Sequence, residues 1–293
     1  MMIAIVCNDA GSAEIISSWL VIQDEEYRLV LEGPSKDIFS RKIKNIKLYT
    51  LENALNKADW LITGTSIFSN LELDAIAKAK LLNIKSVTFL DHWANYPQRF
   101  IKNNVKILPD ELWAGDIDAY EIAKNTFPDV KVVFEENAYF NSIKFAASKF
   151  KKKYNYKNPK YVLYLCSPVA EQIKLKGGKE NYLRYDEHDR IEYFMANIEK
   201  LNASVNKIVF RPHPSESPNK YHWVLDKFGS MVSIEYHKTL LEQILESEVV
   251  VGCNSMGLTV AIIAGKRAVS SLAIDDIDCT IPMKKLEHLN QIS

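Results

Sequence analysis

The chain is predicted to be an α/β protein built as two parallel-sheet domains, and three observations predict it. Short apolar runs alternate with amphipathic segments from one end to the other, the pattern of successive strand-helix-strand units. The pattern is interrupted by a lysine-rich, aliphatic-poor stretch, SKFKKKYNYKNPK (148–160), and then restarts. A length of 293 residues is enough for two medium domains, each with a full core.

In the first half the expected strands are IAIVC (3–7), DWLITG (59–64), KSVTFL (85–90), ELWAG (111–115) and VKVVF (130–134). Between them lie helical segments such as SAEIISSWLVI, which puts Ile15, Ile16, Trp19 and Leu20 on one face, and NLELDAIAKAKLL. The lysine-rich stretch is read as a solvated linker, with a patch for anionic lipid as the competing reading. It sets the expected domains at 1–150 and 151–293. In the second half the expected strands are YVLYLCS (161–167), KIVF (207–210), MVSIE (231–235), EVVVG (248–252) and KRAVSSL (266–272). An apolar helix over 258–264, closed by Gly265 at the usual C-terminal glycine position, separates the last two.

Composition narrows the function. Hydrophobic residues at 47% and charged residues at 25% are ordinary for a globular protein. Lys+Arg and Asp+Glu both number 37, so no basic excess argues for a nucleic-acid partner. Cys7, Cys166, Cys253 and Cys279 form no CxxC pair, which points to small buried hydrophobes rather than a zinc site or disulfides. The first residues carry no basic n-region of a signal peptide, and no window approaches the roughly 18 apolar residues of a membrane helix. The expected location is the cytoplasm, with peripheral association at the inner face of the membrane if the lysine-rich stretch binds lipid. Asp-x-Asp triplets at Asp116 and Asp276 suggest a divalent ion, but 37 acids yield such triplets by chance, and no metal is expected.

In open α/β sheets ligands bind beyond the carboxyl ends of strands, so the residues following each strand carry the chemistry. Those are Asn8-Asp9-Ala10-Gly11-Ser12, Asp91-His92-Trp93, Ser167, Arg211-Pro212-His213-Pro214, and Gly252-Cys253-Asn254-Ser255-Met256-Gly257. In KIVFRPHPSE, prolines on both sides of His213 restrict the backbone and hold the imidazole extended. A histidine donates a hydrogen bond to a phosphate oxygen, and Arg211 adds permanent charge. Asn254, Ser255, Met256 and Gly257 fall at a helix N-terminus, where free N–H groups and the helix dipole favour an anion; as an N-cap alone, Ser255 would contribute about 1 kcal/mol. Glu216 is a candidate for the ribose or base, with a helix-start carboxylate as its structural alternative.

RPHP, followed by a strand, GCNS and a helix ending in AGK, resembles the donor-binding domain of GT-B glycosyltransferases, in particular bacterial sialyl-, Kdo- and related transferases that use CMP-activated sugars. His213 and Pro214 match that family's His-Pro motif, and Asn254-Ser255 matches in part its motif of two hydroxyl residues. Asn8-Asp9-Ala10-Gly11 is similar to the family's acid-glycine turn after the first strand. The resemblance implies two Rossmann-like domains facing across a cleft, an inverting, metal-independent reaction, no cofactor beyond the CMP-sugar co-substrate, and a saccharide or lipid-linked acceptor in bacterial surface-polysaccharide synthesis. It implies Asp9 as base and His213 as the group meeting the leaving phosphate. Arg211, Pro214, Glu216, Ser167, Asn254, Ser255, Met256 and Gly257 would face the donor, and Gly11, Asp91, His92 and Asp116 would serve as acceptor-side residues or reserve bases. The favoured donor carries a nonulosonic acid.

Three other functions compete. A CDP-glycerol phosphotransferase of teichoic-acid type would use the same core and phosphate-facing histidines. A serine hydrolase is suggested by CNSMG followed by Asp275, Asp276 and His288, although Cys253 stands where a nucleophile elbow needs glycine. The third is a non-catalytic nucleotide-sugar binder.

Overall fold

The computed structural model describes all residues except 68, 155–158, 170, 172–184, 205, 215, 218 and 293, and the side chains of 153 and 154. The chain divides into two compact units, Met1–Ser142 and Ile143–Ser293. The first contains β1 (Met2–Cys7), β2 (Glu26–Leu31), β3 (Trp60–Thr63), β4 (Lys85–Leu90), a short antiparallel pair of β5 (Ile101–Lys102) and β6 (Val105–Lys106), β7 (Glu111–Ala114) and β8 (Lys131–Phe134). Six of these form a parallel sheet in the order β2-β1-β3-β4-β7-β8. The second contains β9 (Tyr161–Leu165), β10 (Ile208–Arg211), β11 (Val232–Ile234), β12 (Ser247–Gly252), β13 (Arg267–Ser270) and β14 (Leu286–His288), parallel in the order β11-β10-β9-β12-β13-β14.

Every strand expected from an apolar run is present, and two more border the sheets. β1 shows why the apolar runs were legible: Ile3, Ile5 and Cys7 pack with Ile15, Ile16 and Trp19 on one face of the sheet, while Ala4 and Val6 join a separate cluster on the other. A central parallel strand covered on both faces needs no polar residue. β2 and β14 are edge strands whose residues are partly exposed, so their sequences mix charge with apolar residues and give no such run.

The expected linker is corrected over its first half. Ala138–Tyr154 is a single 17-residue helix, so 148–154 is helical; Phe140, Ile143 and Ala147 supply its buried face. The expected boundary after residue 150 lies inside this helix, and part of the remaining linker, 155–158, falls outside the described residues. The expected helix over 258–264 is found as Met256–Ile263, and Gly265, at φ +73°, closes it while its N–H and that of Lys266 bond back to Ile262 and Ala261.

In each sheet the strand order reverses direction once. β2 and β3 flank β1 on opposite sides, and β10 and β12 flank β9. These are the topological switch points where a crevice opens at the carboxyl ends of the strands.

Candidate active site

The first unit gathers its titratable groups beyond β1, β3 and β4. Asp9 takes the N-cap position of the helix Ala10–Leu20, with extended backbone, yet its side chain caps nothing. Its Oδ1 instead accepts from Asn8 Nδ2 and from Ser66 Oγ, both at 2.9 Å. Because both bonds fall on Oδ1, Oδ2 is the oxygen poised to take a proton. Burial raises the Asp9 pKa, and the bonds from Ser66 and Asn8 partly counter it. A more basic carboxylate held by hydrogen bonds at one oxygen is suited to general-base work.

Asp91, a reserve base on sequence grounds, is tied into an ion pair. Its Oδ1 accepts from Thr65 Oγ1 at 2.8 Å and faces Arg99 at 3.3 Å, with both charged side chains only 9% exposed. Arg99 also donates to Thr65 Oγ1 at 2.7 Å and to the Ala94 carbonyl at 3.2 Å. Gly11 lies against this pair: a Cβ at that position would stand 2.4 Å from Asp91 Oδ2, so the glycine makes room for the carboxylate. His92 accepts the Ala94 N–H on Nδ1 at 3.2 Å, which assigns the proton of the neutral ring to Nε2. Burial and then Arg99 lower its pKa. Asp116 caps the helix Ile117–Thr126 through the Ala119 N–H at 2.8 Å and accepts from Trp93 Nε1 at 3.0 Å. The Trp93 and Tyr96 rings are buried.

Sequence reasoning missed Glu72. It stands in the first turn of the helix Leu71–Leu81, where an acid is unremarkable, but it is only 2% exposed. Its Oε1 accepts the Asn8 N–H at 2.7 Å, and its Oε2 is buried with no hydrogen-bond partner among the described residues. Burial, with Asp9 and Asp91 adding to it, pushes its pKa up to about 7. Only the fold brings it to the backbone of the residue before Asp9.

In the second unit, Arg211 ends β10 and directs one guanidinium nitrogen to the Lys238 carbonyl at 2.8 Å and to the Gln243 side-chain oxygen. The His213 turn is locked reciprocally. The His213 N–H donates to Glu216 Oε2 at 2.8 Å, and the Glu216 N–H donates to the His213 carbonyl at 2.9 Å. Glu216 is buried, with Oε1 accepting from Tyr221 at 2.6 Å and from Lys220 at 2.9 Å, so its carboxylate is committed to holding the turn. Pro212 is buried while His213 and Pro214 are exposed. The aim of the imidazole thus owes as much to Glu216 as to the prolines. Surrounding protein lowers the His213 pKa, while Glu216 and Glu171 pull it back up.

Glu171, Glu187 and Glu216 bring carboxylate oxygens within 4.8 Å of one another, the spacing of a cation site. Lys220 already supplies the positive charge: its ammonium contacts Glu171 at 2.7 Å, Glu216 at 2.9 Å, and Glu187. The acids raise its pKa against the opposing effect of burial, so it stays charged.

Ser255 N-caps the helix Met256–Ile263, its Oγ accepting the Gly257 N–H at 3.1 Å. A Cβ on Gly257 would meet Leu165 at 2.4 Å, so this glycine lets the helix press on β9. Asn254 turns its side-chain oxygen to the N–H and hydroxyl of Thr280, at 3.2 and 3.1 Å, pinning the loop after β13. Ser167 follows β9 and is half-buried. Since β10 and β12 both neighbour β9, the His213 turn, Ser167 and the Ser255-capped helix start share one edge of the sheet. Asp276, a hydrolase-triad candidate, is instead clamped by Arg190 through two contacts of 2.8 Å.

No family profile matches the sequence, nor does any curated protein sequence. Solved structures match the fold at low identity. The UDP-GlcNAc 2-epimerase from Methanocaldococcus jannaschii is similar over 92% of this chain and 83% of its own, with 14% identity and a TM-score of 0.62. The S. aureus MnaA–UDP co-structure matches over 92% of this chain and 79% of its own, with 13% identity and a TM-score of 0.60. The E. coli heptosyltransferase WaaC, with ADP-2-deoxy-2-fluoro heptose, matches over 98% of this chain and 92% of its own, with 11% identity and a TM-score of 0.50. Two parallel six-stranded α/β units in this company define the GT-B fold.

Proposed function

We propose that the chain is a nucleotide-sugar-dependent glycosyltransferase that uses Asp9 as base and the second unit's sheet edge as donor-phosphate site. The observation that carries this reading is the pairing, on the two neighbours of β9, of a clamped histidine turn with a serine-capped helix start. An imidazole N–H and the positive end of a helix both favour an oxyanion. The solved structures that bind UDP or an ADP-heptose analogue support a sugar nucleotide as the ligand class.

In this reading an acceptor hydroxyl gives its proton to Asp9 Oδ2 and its oxygen attacks the anomeric carbon. The bond to the nucleotide oxygen breaks, and its electron pair leaves with the nucleotide, whose added charge is met by His213, Ser255 and the helix start. Inversion at the anomeric carbon follows from a single displacement. The finer proposal is a CMP-activated nonulosonic acid as donor, in surface-polysaccharide synthesis, supported by His213-Pro214 and Asn254-Ser255.

The test is a donor panel of CMP-sialic acid, CDP-glycerol, UDP-GlcNAc and ADP-heptose, scored by thermal shift and by nucleotide release in the presence of a saccharide acceptor. Stabilisation by the CMP-sugar is expected, with Asp9→Asn and His213→Ala each lowering release by about 10²- to 10⁴-fold. Stabilisation by CDP-glycerol alone would assign a glycerophosphotransferase, and epimerisation of UDP-GlcNAc would assign that chemistry instead. If both variants release nucleotide at the wild-type rate, the assigned mechanism is wrong.

A further inference from the structure

The helix Ala138–Tyr154 holds five lysines, Lys144, Lys149, Lys151, Lys152 and Lys153, and no acidic residue, in a chain whose overall charge is zero. Phe140, Ile143 and Ala147 hold its inner face against the protein. Phe145, Lys149 and Lys152 recur at i, i+4 and i+7, so they form one stripe on the outward side, and all three are exposed. Phe145 is 61% exposed, an aromatic ring left in water with the Lys149 ammonium 4.3 Å from its centroid. Lys144 and Lys151 are exposed along a second row, and none of Lys144, Lys149, Lys151 and Lys152 forms an ion pair among the described residues. Elsewhere most salt bridges do engage lysine, as at Lys42, Lys85, Lys131 and Lys220. The local positive field is felt at Lys266, whose pKa is lowered by burial and then by Lys151.

We infer that this outward face docks on an anionic membrane surface, with Phe145 entering the headgroup layer and the lysines contacting lipid phosphates. The complementarity decides the occupant. Unpaired ammonium groups gain from a dense plane of negative charge, and long lysine stems can splay around an inserted ring while their heads stay in water. A second copy of the chain would bring like charges together. Nucleic acid is disfavoured because the helix carries no arginine, the residue suited to bidentate phosphate contacts. The inference goes beyond the proposed transferase activity and does not depend on it.

The experiment is sedimentation of the full chain with vesicles of phosphatidylcholine alone and of phosphatidylcholine with phosphatidylglycerol, at low and high salt. Binding is expected only to the anionic vesicles and is expected to weaken with salt. Lys149→Gln with Lys152→Gln should reduce partition about 30-fold, at roughly fivefold per lysine. Phe145→Ser should reduce it about tenfold while leaving some salt-sensitive binding. All three positions are exposed, so circular dichroism should show unchanged folding. Equal binding to neutral vesicles, no binding to anionic ones, variants that bind as wild type, or retention on a single-stranded oligonucleotide in preference to vesicles would each overturn it.

Discussion

Glu72→Gln should flatten the pH dependence of the first unit's stability. Glu72 is 2% exposed, and its carboxyl group titrates near pH 7 in the folded chain against 4.5 for a free glutamate. Between those values the folded state holds a proton that the unfolded state has released, so the contribution of this group to stability is greatest at low pH and declines as pH rises towards 7. At about 1.4 kcal/mol per pKa unit, the decline attributable to this group is about 3 kcal/mol. Glutamine keeps an oxygen for the Asn8 N–H but places an amide where Oε2 has no partner, which costs roughly 1–3 kcal/mol at every pH. The informative quantity is therefore the slope with pH, not the offset.

Urea unfolding followed by tryptophan fluorescence suits this test. Trp19, Trp60 and Trp113 pack with centroids 5.7 to 5.9 Å apart in the same unit as Glu72. Wild type should lose stability relative to the variant between about pH 5 and about pH 8, converging with it or falling below it at the alkaline end. Parallel curves over that range would show that Glu72 is ionised throughout, and the account of its buried, unpartnered oxygen would be wrong.

Two further substitutions probe the site's supports. Gly11→Ala places a Cβ 2.4 Å from Asp91 Oδ2 and should displace the Asp91–Arg99 pair, costing about 1–3 kcal/mol by chemical denaturation; wild-type stability would mean the carboxylate has room to move. Asp276→Ala should leave the Arg190 guanidinium buried without its charge partner, since the two side chains are 6% and 1% exposed, and cost about 3–5 kcal/mol; a loss below about 1 kcal/mol would mean that water reaches Arg190.

The candidate site was legible to the extent that its residues follow buried strands. Asp9 and the His213 turn were found by reading just past β1 and β10, because a parallel strand covered on both faces announces its own end. Ser255 was legible as a cap because its backbone neighbours start a helix after such a strand. Glu72 and Glu216 were not legible in their actual roles. One looks like an ordinary first-turn acid, and the other stands past a proline motif where ligand contact and turn closure read alike. The end of the lysine-rich helix reads as a linker because its aliphatic content is low, although Phe140, Ile143 and Ala147 hold a helical spacing just before it.

The sequence by itself determined the class of architecture, the identity of nearly every sheet strand, and the edge from which chemistry would be done. Those follow from local pattern: apolar runs, turn residues and caps act on their near neighbours. The tertiary structure alone decided which polar groups are committed and which are left over. It spent Asp91 on Arg99, Asp116 on Trp93, Glu216 on the His213 turn and Asp276 on Arg190. Among the described residues it placed both Asp9 hydrogen bonds on Oδ1 and left Glu72 Oε2 buried without a partner. Burial and partner choice set those outcomes, and both depend on residues brought together from distant parts of the chain.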